Sequence, residues 1–245
     1  MVRRPVQREQ GREQPREQRV IPSPNIWSWP EIYEAENRAQ DADGAIWQTL
    51  RQACPWDGAR VVDIGCGDGF HLPVFARTAA TVTGIEPVGR LVARARQRVA
   101  GLPNVTVRVA HAQATGLPAA SIDLVHARTA YFFGTGCEPG LVEADRILRP
   151  GGALAIVDLD ATAPPYGAWM RAAAPRYDPH AARVFFERRG FSTTLVDTVW
   201  RFDDRVTLES VLRIEFSPKV AARAIAETVD LTIPVRYRIQ VRLRP

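Results

Sequence analysis

Between Val61 and Phe70 an apolar run, Val-Val-Asp-Ile, passes straight into Gly65, Gly67 and Gly69. A β-branched run that ends in alternating glycines predicts a strand turning sharply into a helix. Glycine lets the backbone reverse tightly and approach a ligand with no Cβ in the way. Similar short runs recur at 61–64, 82–86, 105–109, 122–125 and 154–159, separated by helical segments near 71–79, 88–100 and 138–148. This alternation predicts an α/β fold, doubly wound, with a mostly parallel sheet covered by helices on both faces. Such sheets bind ligands beyond the carboxyl ends of their strands.

The glycine spacing narrows the ligand. A dinucleotide fold spaces its glycines G-x-G-x-x-G, so that a pyrophosphate meets the helix N-terminus; here the third glycine comes one residue early. Glu86 ends the next β-branched run, close to the offset of about 20 residues at which an acidic side chain meets a ribose. Its two carboxylate oxygens can accept from both ribose hydroxyls.

Farther along come Ala112-Gln-Ala-Thr-Gly-Leu-Pro118, Ser121-Ile-Asp-Leu-Val125 and Glu143-Ala-Asp-Arg-Ile-Leu-Arg-Pro-Gly-Gly152. With the glycine loop and Glu86, these segments resemble the class I S-adenosylmethionine-dependent methyltransferases over residues 60–160. The resemblance implies a seven-stranded sheet, Rossmann-like, whose last strand is antiparallel. It implies S-adenosylmethionine as cofactor and S-adenosylhomocysteine as product. It further implies that Asp63 and the backbone of Gly65, Cys66, Gly67 and Gly69 hold the cofactor's amino-acid end. Glu86, followed by Pro87, would take the ribose, and Ala112 with Gln113 would lie alongside the adenine. His111 stands where many relatives carry an aspartate beside the adenine, and Tyr131-Phe132-Phe133 stands where many carry a histidine pair. A histidine base is therefore not assumed after the fourth strand.

Methyl transfer from a sulfonium is an in-line displacement with a good leaving group in place. The protein must align a nucleophile, exclude water and, for a hydroxyl or protonated amine, remove a proton. Arg128 and Tyr131 follow the fourth strand and are the catalytic candidates. Arg128 reads either as a partner for an acidic substrate or the cofactor's carboxylate, or as half of a surface ion pair. Tyr131 either orients a nucleophile or packs with Phe132 and Phe133. His126 is expected to be packed in the strand and His71 to sit at the surface where a helix begins. Pro164, Pro165, Tyr166 and Trp169 follow the fifth strand, as substrate contacts or as a hydrophobic connection.

Ser28-Trp29-Pro30-Glu31 has the capping-box form, with Trp27 and Ile32 placed for a hydrophobic staple. It predicts a helix near 29–40 and a second near 43–53, broken at Asp41-Ala-Asp-Gly44. Three units follow: a disordered tail over 1–25, an N-terminal helical cap or lid over 26–56 and a cofactor-binding catalytic domain over 57–245. Tyr33 is expected to line the site from the cap. Past residue 180 the pattern predicts a helix ending near Arg189-Gly190, a strand near 191–202, a helix near 218–227 and a closing strand near 233–244. From Val235 to Arg244 apolar and polar residues alternate, which suits an antiparallel edge pair. The face bearing Arg236, Arg238, Arg242 and Arg244 is expected in solvent, where it discourages edge pairing; substrate recognition is its other reading.

The net charge is +5, but six arginines against three glutamates place +3 of it in the first 25 residues. A nucleic-acid footprint belongs on a folded face, so nucleic acid is not the expected partner. No apolar run approaches the roughly 20 residues that cross a bilayer, so no membrane partner and a cytoplasmic location are expected. Cys54, Cys66 and Cys137 have no disulfide or zinc spacing, and no metal is expected. The function expected is methyl transfer to oxygen, nitrogen or carbon of a small-molecule metabolite in a biosynthetic pathway. An RNA or protein methyltransferase, or a cofactor-binding protein that transfers no methyl, are the alternatives. The acceptor and the oligomeric state are not written in the sequence.

Overall fold

The computed structural model describes residues 23–130 and 136–245. The five β-branched runs form β1 (Arg60–Ile64), β2 (Thr81–Glu86), β3 (Val105–Val109), β4 (Ile122–Arg128) and β5 (Leu148–Leu159), joined by β6 (Ser192–Arg201) and β7 (Thr232–Leu243). Together they make one seven-stranded sheet in the order β3-β2-β1-β4-β5-β7-β6. β1 to β5 pair in parallel, and β7 runs antiparallel to both its neighbours. The strand order reverses between β1 and β4, where Asp63 lies opposite His126 and Ile64 opposite Ala127. That switch point opens the crevice in which doubly wound sheets bind ligands.

A two-helix cap, α1 (Pro24–Ser28) and α2 (Pro30–Ala39), precedes α3 (Ala45–Ala53), α4 (Leu72–Ala76) and α5 (Gly89–Arg98). Then come α6 (Glu138–Ile147), α7 (Tyr166–Ala173), α8 (Pro179–Glu187), α9 (Arg205–Glu215) and α10 (Pro218–Glu227). Ile46 and Leu50 of α3, Phe75 of α4, Trp169 of α7 and Leu212 of α9 bury into one face of the sheet. Leu141 and Ile147 of α6 and Phe186 of α8 bury into the other. Strands covered on both sides favour apolar residues on both faces, which is why Ala153–Val157 of β5 reads as a continuous apolar run rather than an alternating one.

The break expected at 41–44 is present, and two local expectations are corrected. Ser28 ends α1, and the N-cap of α2 is Trp29, with no side-chain cap bond. Pro30 at the first helical position fixes φ where no N–H partner is needed, so α2 starts without the serine. The break at 41–44 is instead the stronger cap: Asp41 accepts from the backbone N–H of Ile46 at 3.0 Å, and Gly44 enters α3 at φ +71°. Second, the arginine face of β7 is not all in solvent. Arg238 is 2% exposed, because β7 is interior, with β6 at the sheet edge. Its guanidinium lies 3.8 Å from the buried Asp158, and Arg236 pairs with Asp197 at 2.6 Å. The helices α7 and α9 were not predicted. The tail over 1–22 lies outside the described residues, and helix already begins at Pro24.

Candidate functional site

At the end of β1 the chain turns through Gly65, Gly67 and Gly69, all in the left-handed region at φ +71°, +56° and +83°. Such angles strain any residue with a Cβ. The N–H groups of Gly65 and Cys66 both donate to the Ile85 carbonyl, which ties the loop to the end of β2. Glu86 follows at once and is 5% exposed. One of its oxygens accepts from the Gly67 N–H at 3.2 Å and the other from the Val88 N–H at 3.0 Å. Burial raises its carboxyl above the usual range, and these two N–H bonds offset only part of that rise.

The adenine-side residues sit beside it. Ala110 N–H donates to the Glu86 carbonyl, and the turn from His111 to Ala114 carries half-buried Ala112 and Gln113. The observed chain therefore brings the glycine loop, Glu86, Pro87, Ala112 and Gln113 to one edge. A ribose hydroxyl pair fits the two-oxygen acceptor of Glu86, and the glycines let a ligand come close to the loop backbone. These features fit an adenosyl group.

Asp63 is 2% exposed, and its carboxylate meets His126 Nδ1 at 2.7 Å. His126 is packed as expected, its ring stacked 6.2 Å from Trp47 and 5.0 Å from Phe75, with Nε2 buried and unpartnered. His71 is half-buried rather than at the open surface. Its ring lies 5.5 Å from that of Trp47, and burial, then the positive charge of Arg128, holds its pKa well below the ordinary value. It is a neutral imidazole at pH 7.

Arg128 is 7% exposed, which overturns the surface ion pair. Its Nη2 donates to Gln40 of the cap at 2.7 Å, and its guanidinium stands 5.4 Å from the ring of Tyr237 and 6.0 Å from that of Trp47. The next residue, Thr129, has φ +52°. For a β-branched residue this is a genuine outlier of the sort held at functional sites. Tyr33 reaches from α2 to within 3.4 Å of the Thr129 hydroxyl. Cap and strand end thus meet at the switch point. Tyr131, with Phe132 and Phe133, lies outside the described residues.

The cap is clasped by a row of arginines. Arg90, Arg94 and Arg98 recur every fourth residue along α5, so they share one face. Arg90 donates to the Trp27 carbonyl, Arg94 pairs with Glu31 at 2.7 Å and Arg98 with Glu34 at 3.1 Å and Asp68 at 2.9 Å. Sequence reasoning missed this clasp, as it missed Glu36, Gln40 and Glu215. Acidic and amide residues on a polar helix carry no signal of burial until the helix they dock on is known. Among the described residues, no group of histidine, cysteine, aspartate and glutamate is arranged to hold a metal ion. None of the described helices is long and apolar enough to cross a membrane.

Comparison with known proteins agrees with this geometry. Residues 62–156 match the family model described as a methyltransferase domain. The chain is similar to the demethylmenaquinone methyltransferase of Tropheryma whipplei, 31% identical over 123 residues, 49% of this chain and 51% of that protein. It thus spans about half the length of that curated relative. Its fold matches that of a putative methyltransferase from Bacillus halodurans, with TM-score 0.60 and 15% identity over 81% of this chain and 98% of that one. It also matches the [4+2]-cyclase SpnF, with TM-score 0.56 and 20% identity over 84% and 83% of the two chains. Over residues 62–156 the chain is similar to the methyltransferase domains of the class I S-adenosylmethionine-dependent family. The cofactor of that family is S-adenosylmethionine.

Proposed function

We propose that the protein transfers the methyl group of S-adenosylmethionine to a small-molecule acceptor. The observation that carries this reading is the Glu86 carboxylate turned onto the left-handed glycine loop, with Gly67 N–H on one of its oxygens. In this reading Asp63 and the loop from Gly65 through Cys66 and Gly67 to Gly69 hold the amino-acid end. Glu86 and Pro87 hold the ribose, and Ala112 and Gln113 flank the adenine. Tyr33 and Arg128 close on the amino-acid end from the cap side.

The bound cofactor supplies an electrophilic methyl on a sulfonium. The chain's own contribution is position and exclusion of water. α1 and α2 act as a lid over residues 26–56, clasped by Arg90, Arg94 and Arg98. Arg128 offers its charge to the cofactor's carboxylate, and Tyr131 is the candidate that would orient a nucleophile or close the methyl's surroundings. The three cysteines are free and buried, which fits a reducing, cytoplasmic setting.

Calorimetric titration of S-adenosylmethionine into wild type and Glu86→Ala tests this. Micromolar affinity that weakens at least about tenfold in the variant, or ~1.4 kcal/mol, is the expected result. An absence of binding to folded wild type would sink the reading. The fold likeness to a cyclase makes a second outcome informative: cofactor binding with no S-adenosylhomocysteine release across a broad acceptor panel would point to a protein that transfers no methyl.

A further inference from the structure

A buried polar cluster joins the cap to the body of the protein at the carboxyl end of β4. Glu36 of α2 is 3% exposed. Its Oε1 accepts from Gln40 Nε2 at 2.8 Å, and its Oε2 has no donor. Glu215, the last residue of α9, accepts from the Tyr166 hydroxyl at 2.7 Å and from Asn25 Nδ2 of α1. The two carboxyls lie within hydrogen-bond reach of one another. Gln40 in turn accepts from Arg128, whose Nε is buried and also unpartnered. The charges of Glu36, Glu215 and Arg128 all act on the Tyr33 hydroxyl, and those of Glu36 and Arg128 on the Tyr237 hydroxyl.

The charges do not balance. Two carboxylates face one guanidinium, and burial raises both acids, Glu36 further because Glu215 is beside it. An uncompensated charge in a desolvated site is costly, so either a proton or a ligand cation must fill the deficit. The strand end that carries Arg128 runs on to the glycine loop: a Cβ on Gly65 would stand 3.0 Å from that of Ala130, two residues past Arg128. A hydroxyl acceptor would bring no charge to this deficit, and a carboxylate acceptor would deepen it. An ammonium supplies it.

We propose that the Glu36–Glu215 carboxyl pair binds the ammonium group of a primary or secondary amine acceptor and receives its proton before methyl transfer. The inference rests on the methyltransferase reading above and names the acceptor class for it. An ammonium N–H gives its proton to Glu36 Oε2. The freed nitrogen lone pair forms the bond to the methyl carbon as the carbon–sulfur bond breaks, and that bond's electron pair stays on sulfur. The product leaves as an N-methylated ammonium, and the proton on Glu36 returns to solvent. The pair is closed in by the cap, so the acceptor enters when α1 and α2 lift.

Thermal unfolding of the protein saturated with S-adenosylhomocysteine tests this, with n-butylammonium and benzylammonium compared against butanol and benzyl alcohol. The ammonium ions should raise the Tm of wild type by about 2 °C or more beyond their alcohols. That difference should vanish in both Glu36→Gln and Glu215→Gln, which keep the shape and remove the charge. Equal shifts from ammonium and alcohol in wild type, or an ammonium preference that survives both substitutions, would overturn the proposal. S-adenosylhomocysteine binding measured on the same samples separates the two readings. Its loss defeats the methyltransferase assignment, whereas intact binding without an ammonium preference defeats the amine acceptor alone.

Discussion

Ile26 of α1 sits on Gly67: a Cβ built on that glycine would meet the Ile26 Cδ1 at 2.6 Å. The cap therefore closes directly on the loop that is proposed to hold the cofactor, and the loop's lack of a side chain is what allows the closure. Gly67→Ala should break both features at once, since φ is +56° there. The backbone strain alone costs on the order of 1 kcal/mol, and the cap is pushed away. S-adenosylmethionine affinity measured by calorimetry should fall at least about tenfold, while Gly101→Ala, in open space at the far end of α5, should leave it unchanged.

The Arg90, Arg94 and Arg98 row predicts a salt-sensitive lid. Glu31 is largely exposed and Arg94 half-buried, so the clasp is screened by ions. Arg94→Ala should speed amide exchange over residues 24–39 and raise the KM for S-adenosylmethionine, with little change in Tm, whereas Arg98→Ala should also lower Tm because it leaves the buried Asp68 unpaired. Raising ionic strength from low to about 0.5 M should mimic Arg94→Ala in wild type, because screening lengths shrink to a few ångströms. Exchange that is the same in variant and wild type would show that packing of Ile26 and Tyr33 alone holds the cap.

What the sequence made legible follows from which forces act locally. The strand runs, the glycine loop and Glu86 were readable because a buried parallel strand and a left-handed turn each demand particular residue types. The Ser28 cap misread has the same origin: Ser-x-x-Glu was present, but Pro30 sets the helix start without it. The remaining misses are long-range. Whether Arg238 faces water depends on β6 taking the sheet edge, which alternation within β7 cannot report. Glu36 looks like any polar residue on a lid helix until α9 brings Glu215 beside it. His71 was placed at the surface because a helix start usually is, and Trp47 of α3 covers it.

The Asp63–His126 pair predicts a stability cost that unfolding of the cofactor-free protein reads directly. Both side chains are buried, at 3% and 1% exposed. His126→Phe would fit the apolar contacts with Trp47 and Phe75 yet leave the Asp63 carboxylate without its partner. Breaking a buried pair in this way costs about 3 kcal/mol. Urea unfolding should show a lower midpoint at unchanged slope, and Asp63→Asn added to His126→Phe should recover a substantial part of the loss.

Asp158 predicts a pH dependence of opposite sign to that of the exposed acids. Burial raises its pKa to about 6, against the pull of Arg238, so the folded state binds this proton more tightly than the unfolded chain does. The stability it contributes is complete below the unfolded value near 4 and is lost as pH rises through about 6. By linkage the loss reaches up to ~3 kcal/mol at neutral pH. Asp158→Asn mimics the protonated acid at every pH. The variant should match wild type near pH 4 and exceed it progressively from pH 4 to 7 in denaturant midpoint. Midpoints that fall below wild type at pH 7 would mean that the Arg238 ion pair outweighs the burial of the carboxylate.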